Sequence, residues 1–288
     1  MKIGAIELGG TKIVLGLFNE KLELLDSKSI KTANPEQNTE EMAAYFSDKE
    51  IDRLGIGSFG PIELDKASPR YGEILSSPKL AWQGFNIVKA LEKELNVPCF
   101  LDTDVNTAAL AEAKLGVAKG LSSCVYFTIG TGIGGGVFVE NGLLHGLQHP
   151  ELGHMLLKPH DEDPDKKGVC PYHASCAEGL ASGPAMKAKW NTPAENLPFP
   201  HKAWEIEAHY IAQLCVDAVL CLSCEKIVLG GGVMQRKELF PLIRKEFSRL
   251  MNGYIQAESL SPEGLEDFIV PPKLFPLSGL VGAACLTL

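Results

Sequence analysis

Residues 2–18 have the sequence KIGAIELGGTKIVLGLF, in which two apolar runs flank a glycine-rich turn. Two apolar runs of strand length around such a turn predict a β-hairpin. The same arrangement returns at residues 124–140, CVYFTIGTGIGGGVFVE. We therefore expect two related α/β domains, each opening with a hairpin whose turn faces a shared cleft. Chance similarity between two glycine-rich hairpins is the alternative explanation.

The segments between and after the hairpins complete an alternation of strands and helices, which is typical of α/β proteins. Strand patterns occur at 22–31, 54–58, 97–104 and 226–234, and helix patterns at 86–96, 105–115, 203–222, 235–251 and 277–288. We expect a small first domain at residues 1–118, completed by the C-terminal helix 277–288. A large second domain is expected at 119–276.

The bulk composition excludes several classes of protein. The 288 residues carry a formal net charge of −9, which argues against a nucleic acid or an anionic membrane as a partner. No uncharged apolar run approaches the ~18 residues of a transmembrane helix. The N-terminal sequence MKIGAIELGG also lacks the pattern of a signal peptide. Because most of the eight cysteines lie in apolar segments, we expect free thiols and a cytoplasmic location.

A cluster of potential metal ligands lies within residues 151–183, ELGHMLLKPHDEDPDKKGVCPYHASCAEGLASG. Its members follow the spacing H-x15-C-x2-H-x2-C and are His154, Cys170, His173 and Cys176. Two thiolates and two imidazoles suit a closed tetrahedral zinc site. We expect structural Zn²⁺ in this loop, which belongs to the second domain. The alternative is a polar surface loop that carries these residues by chance.

The same stretch contains carboxylates that suit a sugar. Glu151 lies three residues before His154, so both side chains share one face of a helical turn. If zinc takes one ring nitrogen of His154, the other N–H faces the side of Glu151. A carboxylate beside a fixed N–H donor suits sugar hydroxyl groups. Glu178 follows Cys176 closely, and we expect the metal loop to place it in the same site.

Three glycine turns, each after a predicted strand, indicate a nucleoside triphosphate. Glycine lets backbone N–H groups approach an anion closely, and threonine adds a hydroxyl donor. The turns consist of Gly9, Gly10, Thr11 and Lys12; of Gly130, Thr131 and Gly132; and of Gly230, Gly231 and Gly232. Three tight turns that need positive φ are the alternative. A dinucleotide fingerprint at the second turn is excluded because a strand pattern, not a helix, follows it.

Two further carboxylates fit the chemistry of phosphoryl transfer. Asp104 lies where a strand ends and a helix begins, so it is predicted to be either the helix N-cap or a general base. Asp102 is the second candidate for the base, and Asn106 is either a substrate contact or a first-turn residue. Glu7 interrupts an apolar strand, where holding hydrated Mg²⁺ would offset its burial. His145 and His149 suggest no chemical role and are expected to be structural.

Together these motifs resemble the ROK family (repressors, open reading frames and sugar kinases), and the resemblance covers essentially the whole chain. The matching motifs are Glu7-Leu8-Gly9-Gly10-Thr11-Lys12, Thr103-Asp104-Val105-Asn106, Gly130-Thr131-Gly132-Ile133-Gly134-Gly135-Gly136, Glu151-Leu152-Gly153-His154 and Leu229-Gly230-Gly231-Gly232-Val233. The resemblance implies an α/β, two-domain actin-like ATPase or hexokinase (ribonuclease H-like) fold with an inter-domain cleft.

Three departures from most family members resemble the bacterial fructokinase branch, namely Glu7, Thr103 and His173. Residues 57–62, GSFGPI, resemble the same branch. The resemblance implies ATP:D-fructose 6-phosphotransferase activity, Mg²⁺ with ATP, a structural zinc ion and a homodimer. It implies Asp104 as the base, with sugar contacts at Gly60, Thr103, Asp104, Glu151, His154 and Glu178. It implies adenosine contacts at Gly231, Gly232 and Val233.

Two other functions remain open from the sequence. The first is a kinase for another hexose, such as glucose, mannose or N-acetylmannosamine. The second is a non-catalytic, sugar-sensing regulator. A repressor of this family would need a DNA-binding module before the first phosphate motif, and here that motif begins at Glu7.

Overall fold

A computed structural model of the protein describes residues 1–77 and 79–288. The strands in chain order are β1 (Lys2–Leu8), β2 (Lys12–Asn19), β3 (Leu24–Lys31), β4 (Arg53–Ser58), β5 (Cys99–Thr103), β6 (Ser123–Ile129), β7 (Ile133–Val139), β8 (Gly142–Leu143), β9 (Ile227–Gly230) and β10 (Ile269–Val270). The α-helices are α1 (Pro35–Phe46), α2 (Ile87–Leu95), α3 (Asp104–Lys114), α4 (Ala177–Ala181), α5 (Gly183–Trp190), α6 (Lys202–Leu222), α7 (Leu239–Met251), α8 (Leu265–Phe268) and α9 (Ser278–Cys285).

The two five-stranded sheets found in the described residues have the same strand order. The first sheet runs β3-β2-β1-β4-β5, and the second runs β8-β7-β6-β9-β10. In each sheet the two strands of the opening hairpin, β1–β2 and β6–β7, are antiparallel. The first strand of each hairpin also pairs in parallel with a strand that follows a long connection, β1 with β4 and β6 with β9. Chance similarity of two hairpins does not predict a shared order of five strands. The α/β fold and the relation between its two halves therefore agree with the sequence analysis.

Both hairpins turn through glycine at equivalent places. In the first hairpin Leu8 pairs with Ile13, and the N–H of Gly9 donates to the carbonyl of Lys12 at 3.1 Å. In the second, Ile129 pairs with Ile133, and the N–H of Gly130 donates to the carbonyl of Gly132 at 2.9 Å. The residues that the sequence predicted as phosphate turns are thus the turns of the two hairpins.

The chain divides into two compact units. Unit 1 comprises Met1–Lys119, Gly142–Pro150 and Lys273–Leu288, and unit 2 comprises Gly120–Asn141 and Glu151–Pro272. Segment 142–150, which the sequence analysis placed within 119–276, lies in unit 1. Its two histidines hydrogen-bond to other parts of that unit, as described below.

The C-terminal segment lies in unit 1 because a buried carboxylate of α3 holds it. Glu112 accepts hydrogen bonds from the backbone N–H groups of Lys273 (3.2 Å) and Leu274 (2.9 Å) and from Ser278 Oγ (3.0 Å). These bonds fix the start of α9, which packs along α3 and against β1 and β4. None of the described helices is both long and apolar enough to cross a lipid bilayer.

Candidate functional site

Unit 1 contributes a buried carboxylate beside the first glycine turn. Glu7 accepts a hydrogen bond from the backbone N–H of Leu280 in the first turn of α9. A Cβ atom at Gly279 would lie 2.6 Å from Glu7 Cδ, so a side chain there would collide with the carboxylate. Among the described residues, the buried Glu7 Oε2 has no hydrogen-bond partner. Burial raises the pKa of Glu7, and the positive charge of Lys12 opposes that shift.

An orphaned buried oxygen next to a predicted phosphate turn fits a hydrated divalent cation. A buried carboxylate oxygen without a partner is costly, and Mg²⁺ in proteins usually keeps several water ligands that could reach such an oxygen. The first turn itself is held by Thr32, whose Oγ1 donates to the carbonyl of Gly9 at 2.7 Å. The side chains of Thr11 and Lys12 remain exposed at the turn.

The junction between β5 and α3 distinguishes the two candidate bases. The N-cap of α3 is Thr103, whose Oγ1 accepts from the N–H of Asn106 at 3.1 Å, so Asp104 is not the capping residue. Asp104 is the first residue of α3, partly exposed, and its Oδ1 accepts from the N–H of Val105 at 2.9 Å.

Asp102, by contrast, is buried, and both of its carboxylate oxygens have hydrogen-bond partners. Its Oδ1 accepts from the N–H of Thr103 at 2.8 Å and from Nδ2 of Asn106 at 2.7 Å. Its Oδ2 lies 2.8 Å from Nε2 of His145. Both oxygens of this second candidate for the base therefore have hydrogen-bond partners, and Asn106 is one of its donors.

The loop that contains Gly60 is held by the second histidine of segment 142–150. The N–H of Ile62 donates to Nε2 of His149 at 3.2 Å, and the imidazole ring lies beside Gly60. Sequence reasoning found no role for either His145 or His149. Their partners lie 43 and 87 residues away along the chain, and no local pattern links them.

Unit 2 places the second and third glycine turns around one cavity of about 760 Å³. Of the predicted nucleotide residues, Gly130, Thr131, Gly232 and Val233 line it. Gly231 does not line the cavity. Its φ of 92° lies in the left-handed region, so the backbone conformation accounts for a glycine at this position. The sequence analysis missed the other lining residues, which are Gly183, Pro184, Ala194, Glu195, Trp204, Gln235, Arg236 and Glu238.

Trp204 and Arg236 form one wall of this cavity. The guanidinium of Arg236 lies 4.7 Å from the centre of the Trp204 ring and donates to the carbonyl of Leu197 at 3.1 Å. Trp204 lies at an apolar helix position, which in the sequence gives no sign of a neighbouring cavity. A cavity with an aromatic wall and polar groups suits a heteroaromatic ligand.

Glu151 and His154 lie at the two ends of one short turn in unit 2. Residues Leu152–His154 form a 3₁₀ turn preceded by Glu151, and the N–H of His154 donates to the carbonyl of Glu151 at 3.0 Å. Burial, and then the charge of Glu178, raise the pKa of Glu151 to about 7. Glu178 is therefore near Glu151, as the sequence predicted.

Glu178 also links the segment of the candidate metal ligands to the second glycine turn through a hydrogen bond. It lies in the first turn of α4, which Cys176 caps, and its Oε2 accepts from the N–H of Ile133 at 3.0 Å. That oxygen is so close to Gly132 that a Cβ atom there would lie 2.5 Å away. A change in the loop around Cys176 should therefore reach the turn at Gly132.

The predicted metal ligands converge. The ligand atoms of His154, Cys170, His173 and Cys176 all lie within 4.8 Å of one another. Nδ1 of His154 is 3.9 Å from Cys170 Sγ and 3.7 Å from Cys176 Sγ, and Nδ1 of His173 is 3.8 Å from Cys170 Sγ. A tetrahedral ion with Zn–S and Zn–N bonds of about 2.3 and 2.0 Å needs S···N separations of roughly 3.6 Å. The donor set and its spacing fit zinc, and Nε2 of His154 stays available for another partner.

Comparison with known proteins places this geometry in a family. The model of the ROK family matches residues 3–288. The chain is 41% identical over 286 residues to a fructokinase of Pediococcus pentosaceus, covering 99% of this chain and 97% of that protein. It is 38% identical over 271 residues to a fructokinase of Lactococcus lactis subsp. cremoris, covering 94% and 91%.

A solved structure has the same fold over nearly the whole chain. The ROK hexokinase from Thermus thermophilus superposes with a TM-score of 0.78 at 27% identity, covering 99% of this chain and 97% of that one. The fold of both units is therefore that of a known sugar kinase.

Proposed function

The chain belongs to the ROK family, and we propose that it is an ATP-dependent fructokinase that forms fructose 6-phosphate. The observation that carries the fructose assignment is the near full-length similarity to proteins named fructokinase. Kinases of glucose, mannose or N-acetylmannosamine, and a non-catalytic sugar sensor, are not favoured by those relatives. That hydroxyl 6 is the acceptor follows from the family resemblance.

In the proposed reaction Asp104 is the general base. The sugar hydroxyl loses its proton to the Asp104 carboxylate as its oxygen attacks the γ-phosphorus, and ADP leaves. The proposed sugar contacts are Gly60, Thr103, Glu151, His154 and Glu178, with Nε2 of His154 as a hydrogen-bond donor. Most of the acceleration comes from positioning and charge neutralisation, as in other phosphoryl transfers.

The nucleotide is bound by the glycine turns. The proposed phosphate-binding residues are those of the turns Gly9–Lys12 and Gly130–Gly132. Adenosine occupies the cavity lined by Gly232, Val233, Trp204 and Arg236. Mg²⁺ accompanies ATP and neutralises phosphate charge when bound. Glu7, whose Oε2 has no hydrogen-bond partner among the described residues, would hold that ion through water.

A structural zinc ion completes the proposal for unit 2. His154, Cys170, His173 and Cys176 would hold it, and ligation through one ring nitrogen of His154 would fix the ring and leave its other nitrogen free. We further propose that the enzyme is a cytoplasmic homodimer. The free cysteines support the location, and the dimer rests on the family resemblance.

The experiment that tests the mechanism compares Asp104→Asn with wild type. Loss of a general base typically lowers the rate by about 10²–10⁴-fold, so kcat for fructose should fall by that factor while ATP affinity is retained. Asp48→Asn is a matched control, because the Asp48 side chain is 81% exposed and lies outside the proposed site. If Asp104→Asn keeps more than about a tenth of wild-type kcat, Asp104 is not the base.

A further inference from the structure

His145 is an ionisable side chain close to the proposed base, and the proposed reaction does not use it. It lies in segment 142–150 of unit 1, and its side chain is 42% exposed. Its Nε2 is 2.8 Å from Oδ2 of Asp102, and the carbonyl of Leu143 accepts a further hydrogen bond from the ring. The imidazole is therefore fixed at both sides.

Asp102 carries this contact to the residues on either side of Asp104. Its other oxygen accepts from the N–H of Thr103, which precedes Asp104, and from Nδ2 of Asn106, which follows it by two positions. One carboxylate group thus links His145 to both flanks of the base. A carboxylate rotates as a unit, so a change at Oδ2 alters both bonds at Oδ1.

We propose that His145 is a positioning residue that, through Asp102, fixes the start of α3 and so the direction of the Asp104 carboxylate. This inference rests on the proposed function, in which Asp104 accepts the proton. Asp102 is buried, so loss of its partner at Oδ2 leaves an oxygen that must find another donor or become protonated. Either response disturbs the bonds that hold Thr103 and Asn106.

The surroundings of His145 favour its donor role. The hydrogen bond to Asp102 raises the pKa of His145, and Lys66 opposes that shift. Glu63, Asp65 and Lys66 line the same surface depression as His145 and Asp102. Within the part of the chain that the structure describes, none of these three residues hydrogen-bonds to Asp102. The donor to Asp102 Oδ2 is therefore His145.

The test compares His145→Ala with His145→Gln, whose amide can donate in place of Nε2. A small misplacement of a reacting group costs up to about 10²-fold in rate. We expect His145→Ala to lower kcat by about 10- to 100-fold, with KM for fructose and for ATP within about twofold and with the variant still fully folded at the assay temperature. His145→Gln should restore most of kcat. The control is Leu147→Ala, because Leu147 is fully exposed in the same segment.

A double variant tests the route through Asp102. If His145 acts through that carboxylate, His145→Ala combined with Asp102→Asn should be no slower than Asp102→Asn alone. A purely structural role would lower Tm in step with activity, and His145→Gln would bring no recovery. A loss confined to KM, multiplicative losses in the double variant, or more than half of wild-type kcat in His145→Ala would each overturn the proposal. If the wild type prefers another hexose, the fructose assignment fails, and the same kcat ratios measured with that hexose still decide the role of His145.

Discussion

The ring of His149 accepts the backbone N–H of Ile62 at 3.2 Å, and this bond ties segment 142–150 to the loop that contains Gly60. Only an unprotonated Nε2 can accept. Burial lowers the pKa of His149, so the neutral ring that the bond requires is the favoured form.

Acid should therefore weaken unit 1 through His149. Its folded-state pKa is lowered below the ordinary value of 6.5, so its contribution to stability is present above about pH 6.5 and is lost as pH falls below it. His149→Gln keeps an acceptor and cannot titrate. We expect the stability difference between wild type and variant to shift by on the order of 1 kcal/mol between pH 7.5 and pH 5, measured by urea unfolding. Parallel pH dependences for the two proteins would contradict this account.

The metal cluster predicts about one zinc per chain, as zinc sites of this donor set hold a single ion. Cys176→Ser removes a ligand but keeps a hydroxyl that can cap α4, so it should lower both bound zinc and fructose turnover through loss of the metal. Cys221→Ser is the matched control, since Cys221 is a free, exposed cysteine outside the cluster. Elemental analysis of the purified proteins gives the readout. Full zinc and full activity in Cys176→Ser would refute the assignment.

Glu207 predicts the opposite pH dependence in unit 2. It is buried in α6, and among the described residues its Oε1 has no hydrogen-bond partner. Burial raises the pKa of Glu207 well above 4.5, Lys189 opposes that shift, and Asp163 adds to it. A raised folded-state pKa means that the contribution to stability is fully present below about pH 4.5 and is lost as pH rises through the folded-state value.

Replacing this carboxyl by an amide should therefore help at high pH. We expect Glu207→Gln to match wild type near pH 4.5 and to be more stable by on the order of 1–3 kcal/mol at pH 8, the cost of one unsatisfied buried group. Urea unfolding at both pH values gives the difference. Glu205→Gln, at a more exposed position of the same helix, is the control. A variant no more stable than wild type at pH 8 would show that Glu207 has a partner or is hydrated.

The sequence predicted features that depend on residue type and short spacing. Glycine turns flanked by apolar runs predicted both hairpins. Residue spacing predicted that four potential metal ligands come together, namely His154, Cys170, His173 and Cys176. It could not predict contacts made over long separations, such as His145 with Asp102, because no local periodicity records them. Strands β8 and β10 have two residues each, which is too short for a periodic hydrophobic pattern to be recognised in the sequence.

Within the site the same limit applies. The sequence ranks Asp104 before Asp102 by position alone, and the three hydrogen-bond partners of Asp102 are seen only in the structure. The cavity that contains Trp204 and Arg236 is formed by α6 and the turn after β9, which the chain brings together from distant segments.

The most direct test of the central claim is kcat/KM for fructose, glucose, mannose and N-acetylmannosamine with Mg-ATP in excess. A site whose buried polar groups pair with one sugar leaves some unpaired with another, at roughly 1–3 kcal/mol per group. One or two such mismatches correspond to about 5- to 10⁴-fold discrimination. The account predicts that fructose gives the highest kcat/KM by at least about fivefold. Glucose, mannose or N-acetylmannosamine equal to or better than fructose would contradict it.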